Sequence, residues 1–300
     1  MTGFTMTAAT RLRRHTIPIQ DSYSIWIVTP PGYPHSAAFS EVAIGLQGGL
    51  RELGCHAPIV TERNRIQGKA IILGANLLAD LPDIKPPGKS ILYNLEQITP
   101  GSEWLSPGYL KLLRRHHVWD YSQYNIEQLA TLGIRNVTHC PIGYSEALSR
   151  FDPDTQKDID VLFYGSLNER RNRILADMKN TGLRVESLFG VYGKQRDAVI
   201  ARSRIVLNIH YYPSKIFEIV RISWLLANRV CVVSEQSPRD SALAAVEDGI
   251  ILAPYDRLVS TCQEVIEKNA WASVGQRGFE VFSASRQAAH LGNILSRTAA

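Results

Sequence analysis

The run from Ile205 to Glu235, IVLNIHYYPSKIFEIVRISWLLANRVCVVSE, constrains the fold of this chain more than any other stretch. Ile205–Ile209 is a short apolar run fit for a buried strand. Pro213 and Ser214 then break the chain, and Ser214 is a natural N-cap. Ile216, Ile219, Val220, Ser223, Trp224 and Ala227 recur at helical spacing, Asn228 can close that helix, and Val230–Val233 reads as a second buried strand. Strand, helix and strand in this order make a βαβ unit. Such a unit implies a parallel α/β sheet with a ligand crevice at the carboxyl ends of its strands.

Polar residues gather at that crevice. Asn208 and His210 leave the first strand, Lys215 sits in the first turn of the helix, and Glu218 and Arg221 lie three and six positions on. A lysine at a helix N-terminus opposes the macrodipole unless an anion sits between them. Glu218 can accept hydrogen bonds from a ribose diol. Lys215 and Glu218 can equally form a solvated pair at i, i+3. Spacing alone leaves both open.

A second phosphate-like signature precedes this block. Ile159–Tyr164 (IDVLFY) reads as a buried strand, and Gly165, Ser166, Leu167 and Asn168 follow it. Glycine after a strand permits close backbone approach. Arg170, Arg171 and Arg173 then lead into a helix carrying Ile174, Leu175 and Met178. A helix N-terminus beside an arginine cluster is a plausible diphosphate site. Leu183–Phe189 is a further strand, ending at Gly190-Val191-Tyr192-Gly193, where base or ribose contacts can fall.

In the first half, Ser24–Thr29, Ile59–Val60, Ala70–Leu73, Ser90–Leu95 and Val118–Tyr121 read as strands. Ser40–Leu53, Ser106–Arg115 and a segment capped by Asn125 read as helices. Glu96 stands at the carboxyl end of a strand, placed either to touch a ligand or to cap the next helix. The polar stretch Ser149–Asp158 is the best linker in the chain. Asp152-Pro153-Asp154 inside it is nominally a metal-binding DxD, but the context argues against a metal role. Past the central block, Ala242–Val246, Gly249 and Ile250–Ala253 read as helix, glycine and short strand. Leu258–Asn269 and Gln276–Ser296 read as the last two helices.

The net charge of +5 suits anionic partners: a nucleotide diphosphate, a lipid-linked phosphate or an anionic membrane surface. The cations are dispersed, without any zinc-finger, RNP or basic-zipper pattern, so nucleic acid is disfavoured. No apolar run approaches the roughly 20 residues that span a bilayer. The first 20 residues lack an apolar core behind their basic residues and read as a flexible leader rather than a secretory signal. Cys55, Cys140, Cys231 and Cys262 are scattered, which fits a reducing cytoplasm, with peripheral contact at the inner membrane face as an option.

The block S-K-I-F-E-I-V-R…L-L-A-N-R-V-C-V-V-S-E resembles the donor-binding segment of GT-B glycosyltransferases, closest to the group-1 and spore-maturation types. Asn228-Arg229-Val230 stands where members often carry Gly-x-Pro. The opening strand, turn-rich loop, long helix and "L-G-C-H-A-P" resemble the start of the amino-terminal domain of that superfamily. Val137 to Tyr144 resembles the strand and "P-x-G" turn that close it. The resemblance implies two Rossmann-like domains, over 21–150 and 151–275, facing across a cleft. A terminal helix over 276–300 would pack back on the first. It also implies sugar transfer from a nucleotide-diphosphate-sugar donor to an acceptor hydroxyl, without a metal or other cofactor.

By that resemblance Gly165, Ser166, Arg170 or Arg171, Tyr192, Asn208, His210, Ser214 and Lys215 surround the donor, and Glu218 holds its ribose. Tyr33, Gly143 and Tyr144 lie at the cleft on the acceptor side. His35, in the first loop, is the expected base of an inverting reaction, its ordinary pKa suiting proton uptake near neutrality, with Glu96 as the alternative. Two other readings share the fold: a silent nucleotide-sugar or glycan binding module, and a nucleotide-sugar epimerase, which would need several cleft carboxylates.

Overall fold

A computed structural model describes residues 22–298 apart from Pro82, Pro100, Glu103, Pro153, Pro213 and Arg239. The leader over 1–20 and the Pro213 break lie outside the described residues. The first lobe holds β1 (Tyr23–Ile27), β2 (Ile59–Val60), β3 (Lys69–Leu73), β4 (Ile91–Asn94), β5 (His117–Asp120) and β6 (Val137–His139). They form one parallel sheet in the order β2-β1-β3-β4-β5-β6. The second lobe holds β7 (Ile159–Tyr164), β8 (Val185–Leu188), β9 (Ser203–Asn208), β10 (Cys231–Glu235) and β11 (Ile251–Ala253). Its parallel order is β11-β10-β9-β7-β8.

Both sheets are covered on two faces, which is why their strands read as nearly unbroken apolar runs. In β1, Ile25 and Ile27 enter one core cluster and Trp26 another, because successive side chains leave a strand on opposite faces. In the second sheet Val161, Phe163, Ile205 and Leu207 face one way, and Leu162 and Val206 the other.

The covering helices are α1 (Ser40–Glu52), α2 (Pro107–Arg115), α3 (Gln123–Thr131), α4 (Glu169–Asn180), α5 (Gly193–Arg202), α6 (Ile219–Ala227), α7 (Ser241–Ala244), α8 (Leu258–Glu267), α9 (Trp271–Ser283) and α10 (Gln287–Thr298). Ser106, Ser122 and Asn168 cap α2, α3 and α4 with their side-chain oxygens. The α3 cap is therefore Ser122 rather than Asn125, whose side chain instead accepts from the Ile98 amide at 2.9 Å.

Two expectations fail for identifiable reasons. Helix α6 begins at Ile219, so Ser214 is not its cap and Lys215 is not in its first turn. Lys215 has a φ of 50°, in the left-handed region that a right-handed helix does not use, so this segment stays a loop. The single helix expected over Gln276–Ser296 is two. Between them, the Ser285 carbonyl accepts from the Tyr144 amide at 2.7 Å and the Gln287 amide donates to the Tyr144 carbonyl at 2.8 Å. Backbone groups spent on Tyr144 cannot continue a helix. Beyond the break α10 lies on α1. A Cβ added at Gly49 would fall 2.9 Å from Gln287 Cγ and 3.0 Å from Leu291 Cδ1.

Candidate functional site

Between the lobes, at the carboxyl ends of both sheets, lies a cleft of about 800 Å³. Glu96, Gln97 and Trp104 line it from the first lobe, and Ser166, Arg171, Tyr211, Glu218 and Arg221 from the second. A narrower compartment of about 240 Å³ adjoins it, sharing Ser166, Val220 and Arg221. Its walls are largely aromatic: Tyr164, Phe189, Tyr192 and Trp224, with His35 and Glu41 reaching in from the first lobe.

Gly165 adopts a φ of +130°, and a Cβ there would stand 3.9 Å from Nη1 of both Arg171 and Arg221. Two guanidinium groups thus flank one glycine at the end of β7. Arg171 spends its donors on carbonyls, bonding Ile209 through Nε at 3.0 Å and Ser166 through Nη1 at 2.8 Å. Arg221 lies over the Tyr164 ring at 4.1 Å, and its Nε is buried without a hydrogen-bond partner among the described residues. Burial, then the charge of Arg221, pushes the Arg171 pKa down to about 10. A buried guanidinium beside a second one is stabilised by an anion facing them both.

Glu218 precedes α6. Its Oε2 accepts from Asn208 Nδ2 at 2.6 Å and lies 3.1 Å from His210 Nδ1. Burial would raise its pKa, but His210, Asn208 and Arg221 outweigh that and hold it below the ordinary carboxylate value. Asn208 and His210 are themselves buried. They stand behind Glu218 rather than on the cleft wall.

Across the cleft, Glu96 follows β4. The backbone there is tied down: its amide donates to Asn94 Oδ1 at 3.2 Å, and its carbonyl accepts from Asn94 and Asn125 at 3.0 and 2.9 Å. Asn94 also donates to buried Asp120 at 2.6 Å. Among the described residues the Glu96 carboxyl has one hydrogen-bond partner, the Asn76 amide at 3.3 Å. Burial pushes its pKa up to about 7, the Asn76 bond opposing. Tyr33 is near enough for that carboxylate to add to the rise that burial gives its phenol.

His35 lines the narrow compartment, apart from Glu96. Its Nδ1 is 2.5 Å from the Tyr192 hydroxyl, and its ring stands edge-on to Tyr33 at 5.2 Å. Deeper in, Arg196 Nη2 reaches Glu41 Oε1 across the lobes at 2.6 Å and Asp197 at 2.6 Å. Burial raises the Glu41 pKa, and Arg196 offsets only part of that rise.

Several expected site residues lie elsewhere. Arg170 turns from the cleft, engages both oxygens of buried Glu235 and stacks 3.9 Å from the Tyr255 ring centre. Lys215 also turns to Glu235, at 3.0 Å. One buried carboxylate therefore absorbs both cations. Ser214, by contrast, does line the cleft, 3.4 Å from the Gln97 side chain across it. Gly143 and Tyr144 belong to the junction of the lobes. Gly143 is pressed against Ser285, Gln287 and His290, and Tyr144 is buried edge-on to Phe279 and Phe282. Their contact with the chain break before α10 keeps them off the cleft wall. Arg221 carries a larger part than its sequence position suggested, although its place three residues after Glu218 puts both on one helix face. Glu41 and Arg196 carried no sequence signal. Among the described residues no group of three His, Cys, Asp or Glu side chains is disposed to hold a metal, and no helix is long and apolar enough to cross a membrane.

No family model matches the sequence. Uncharacterized protein L140 of Acanthamoeba polyphaga mimivirus is 33% identical over 180 residues, covering 57% of this chain and 57% of that protein. Protein R358 of the same virus is 31% identical over 183 residues, 59% of this chain and 62% of the other. The match thus spans little more than half the length of these relatives. Among solved structures, Anabaena HepE in complex with UDP and glucose superposes with a TM-score of 0.60 at 12% identity, covering 93% of this chain and 99% of that one. An α-glucosyltransferase in complex with UDP and a 13-mer DNA gives 0.59 at 11% identity, with the same two coverages of 93% and 99%. Sucrose-phosphate synthase from Thermosynechococcus elongatus gives 0.57 at 12% identity, again covering 93% and 99%. The chain has the GT-B glycosyltransferase-like fold: two parallel α/β sheets facing across a cleft.

Proposed function

We propose that the protein transfers a hexosyl group from a nucleoside-diphosphate sugar to an acceptor hydroxyl. The observation that carries this reading is the pair Arg171 and Arg221 flanking Gly165, with ionised Glu218 beside them and Glu96 on the opposite wall. The two guanidinium groups would bind the diphosphate and stabilise the charge that builds on it as the glycosidic bond breaks, in place of a metal ion. Glu218 would accept hydrogen bonds from the ribose diol, and the aromatic compartment would take the base. UDP and UDP-glucose are bound in the HepE structures that share this fold. In an inverting reaction Glu96 would take the acceptor proton, since a carboxyl near pH 7 is matched to that work. His35, engaged by Tyr192 in the other compartment, would serve binding.

Thermal shifts with UDP, GDP, ADP and their sugars, with and without magnesium or manganese, test the donor site. A ligand at about 100 times its dissociation constant should add roughly 2.7 kcal/mol of stability. A shift with one nucleotide, independent of metal and lost in Glu218→Ala, is the expected result. No shift with any of them would sink the reading. Binding with no turnover of any acceptor would favour the silent binding module.

A further inference from the structure

On the face opposite the cleft, where β3, β4 and β5 begin, lies a groove of about 450 Å³ that the proposed transfer leaves unused. Lys69, Lys89, Arg115 and His116 line it, and His117 closes it, with no carboxylate among the lining residues. None of the Lys69, Lys89 and Arg115 head groups has a hydrogen-bond or ion-pair partner among the described residues. Other exposed cations, such as Lys111, Arg135 and Lys194, also have no carboxylate partner among the described residues, but they do not share one concave wall, and many arginines are paired. Arg65, Arg173, Arg184, Arg202 and Arg286 each reach a carboxylate. A concave wall of one charge sign, without its own counter-charge, focuses positive potential outward.

The walls are fixed. Gly68 passes so close to Ser22 that a Cβ would fall 2.0 Å from the Ser22 carbonyl oxygen. Ser90 Oγ donates to the Pro87 carbonyl at 2.7 Å, closing the turn that presents Lys89. The helix macrodipole explains cations in the last turn of α2, and Arg114 and Arg115 both stand there. It gives no reason for Lys69 or Lys89. His116 adds a separate observation: it lines the groove, and its Nδ1 is buried without a hydrogen-bond partner among the described residues. Burial, then Arg115, lowers its pKa, which keeps the ring neutral beside the cations.

We propose that this groove binds a phosphate-bearing anion, at a site separate from the cleft and independent of the transferase reading. Lysines act here as point charges toward phosphate oxygens. The phosphate can come from an anionic lipid headgroup or from a free phosphorylated molecule.

The test compares the full chain with Lys69→Glu/Lys89→Glu and with the milder Lys89→Gln, all checked by circular dichroism and melting temperature. The probes are vesicles of phosphatidylcholine and phosphatidylglycerol in equal parts, vesicles of phosphatidylcholine alone, and inorganic pyrophosphate followed by calorimetry. Cosedimentation with the anionic vesicles only, weakened about tenfold or more in the double variant and partly in Lys89→Gln, would support the site and assign it to a lipid surface. Pyrophosphate binding with the same losses, and no vesicle binding, would support it and assign it to a free phosphate. Pyrophosphate held by the cleft would survive both variants. Binding that the variants leave unchanged, or no binding of either anion, overturns the proposal.

Discussion

Replacing Glu96 by glutamine should remove a defined part of the pH dependence of stability. Burial raises this carboxyl from its ordinary value of 4.5 to about 7 in the folded protein. Between those values the folded chain holds a proton that the unfolded chain has released. The contribution is fully present below the unfolded value and is lost as pH rises through the folded one. At about 1.4 kcal/mol per pKa unit the loss is about 3 kcal/mol, an upper figure because the side chain is partly open to the cleft. Asp120, also pushed to about 7 by burial, adds a slope of the same sign to both proteins and drops out of the difference. Urea unfolding in steps from about pH 4.5 to about pH 8 would measure this. The variant should match the wild type at the acid end and be more stable by up to about 3 kcal/mol at the alkaline end. A difference that stays constant with pH would refute the argument that burial sets the proton affinity of Glu96. The same variant should abolish turnover in an inverting reaction while leaving the nucleotide-induced thermal shift in place.

Glu41→Ala would leave the Arg196 charge buried beside Asp197 alone, and the expected loss is about 3–5 kcal/mol by denaturant midpoint. A loss near zero would mean that Asp197 suffices as partner. Gly275→Ala places a Cβ 2.1 Å from the Arg229 carbonyl oxygen and 3.2 Å from the Cys231 amide nitrogen. Since backbone cannot give way as a side chain can, it should cost about 1–3 kcal/mol in thermal melting. Gly88→Ala, where nothing lies within 4 Å, is the control and should change little.

Sequence periodicity located the strands well because each sheet is buried on both faces. Ile159–Tyr164 forms the strand that its apolar run announces. The block from Ile205 to Glu235 does form strand, helix and strand, although its helix starts five residues after Ser214, at Ile219. The error arose from local capping rules. Ser214 suits a helix start, but Lys215, at a φ of 50°, leaves the right-handed helical region and the helix begins only at Ile219. Arginine chemistry was legible as a cluster, not as a direction. Arg170 and Arg171 are neighbours in sequence, yet one faces Glu235 and the other the cleft. The contact of Glu41 with Arg196 joins two lobes, and no local pattern encodes it. Glu96 was legible from its place at a strand end, whereas the raised proton affinity needed the burial.

The seating of α10 on α1 has a consequence for how the chain is made. The helix that covers Gly49 comes from the far end of the sequence, after every strand of both sheets. On the ribosome the first lobe must therefore wait, its α1 flank bare, while the whole second lobe is synthesised. Contacts of such long sequence separation form slowly. During that interval the exposed α1 face at Gly49 is the surface on which a nascent chain of this protein most needs protection from its neighbours.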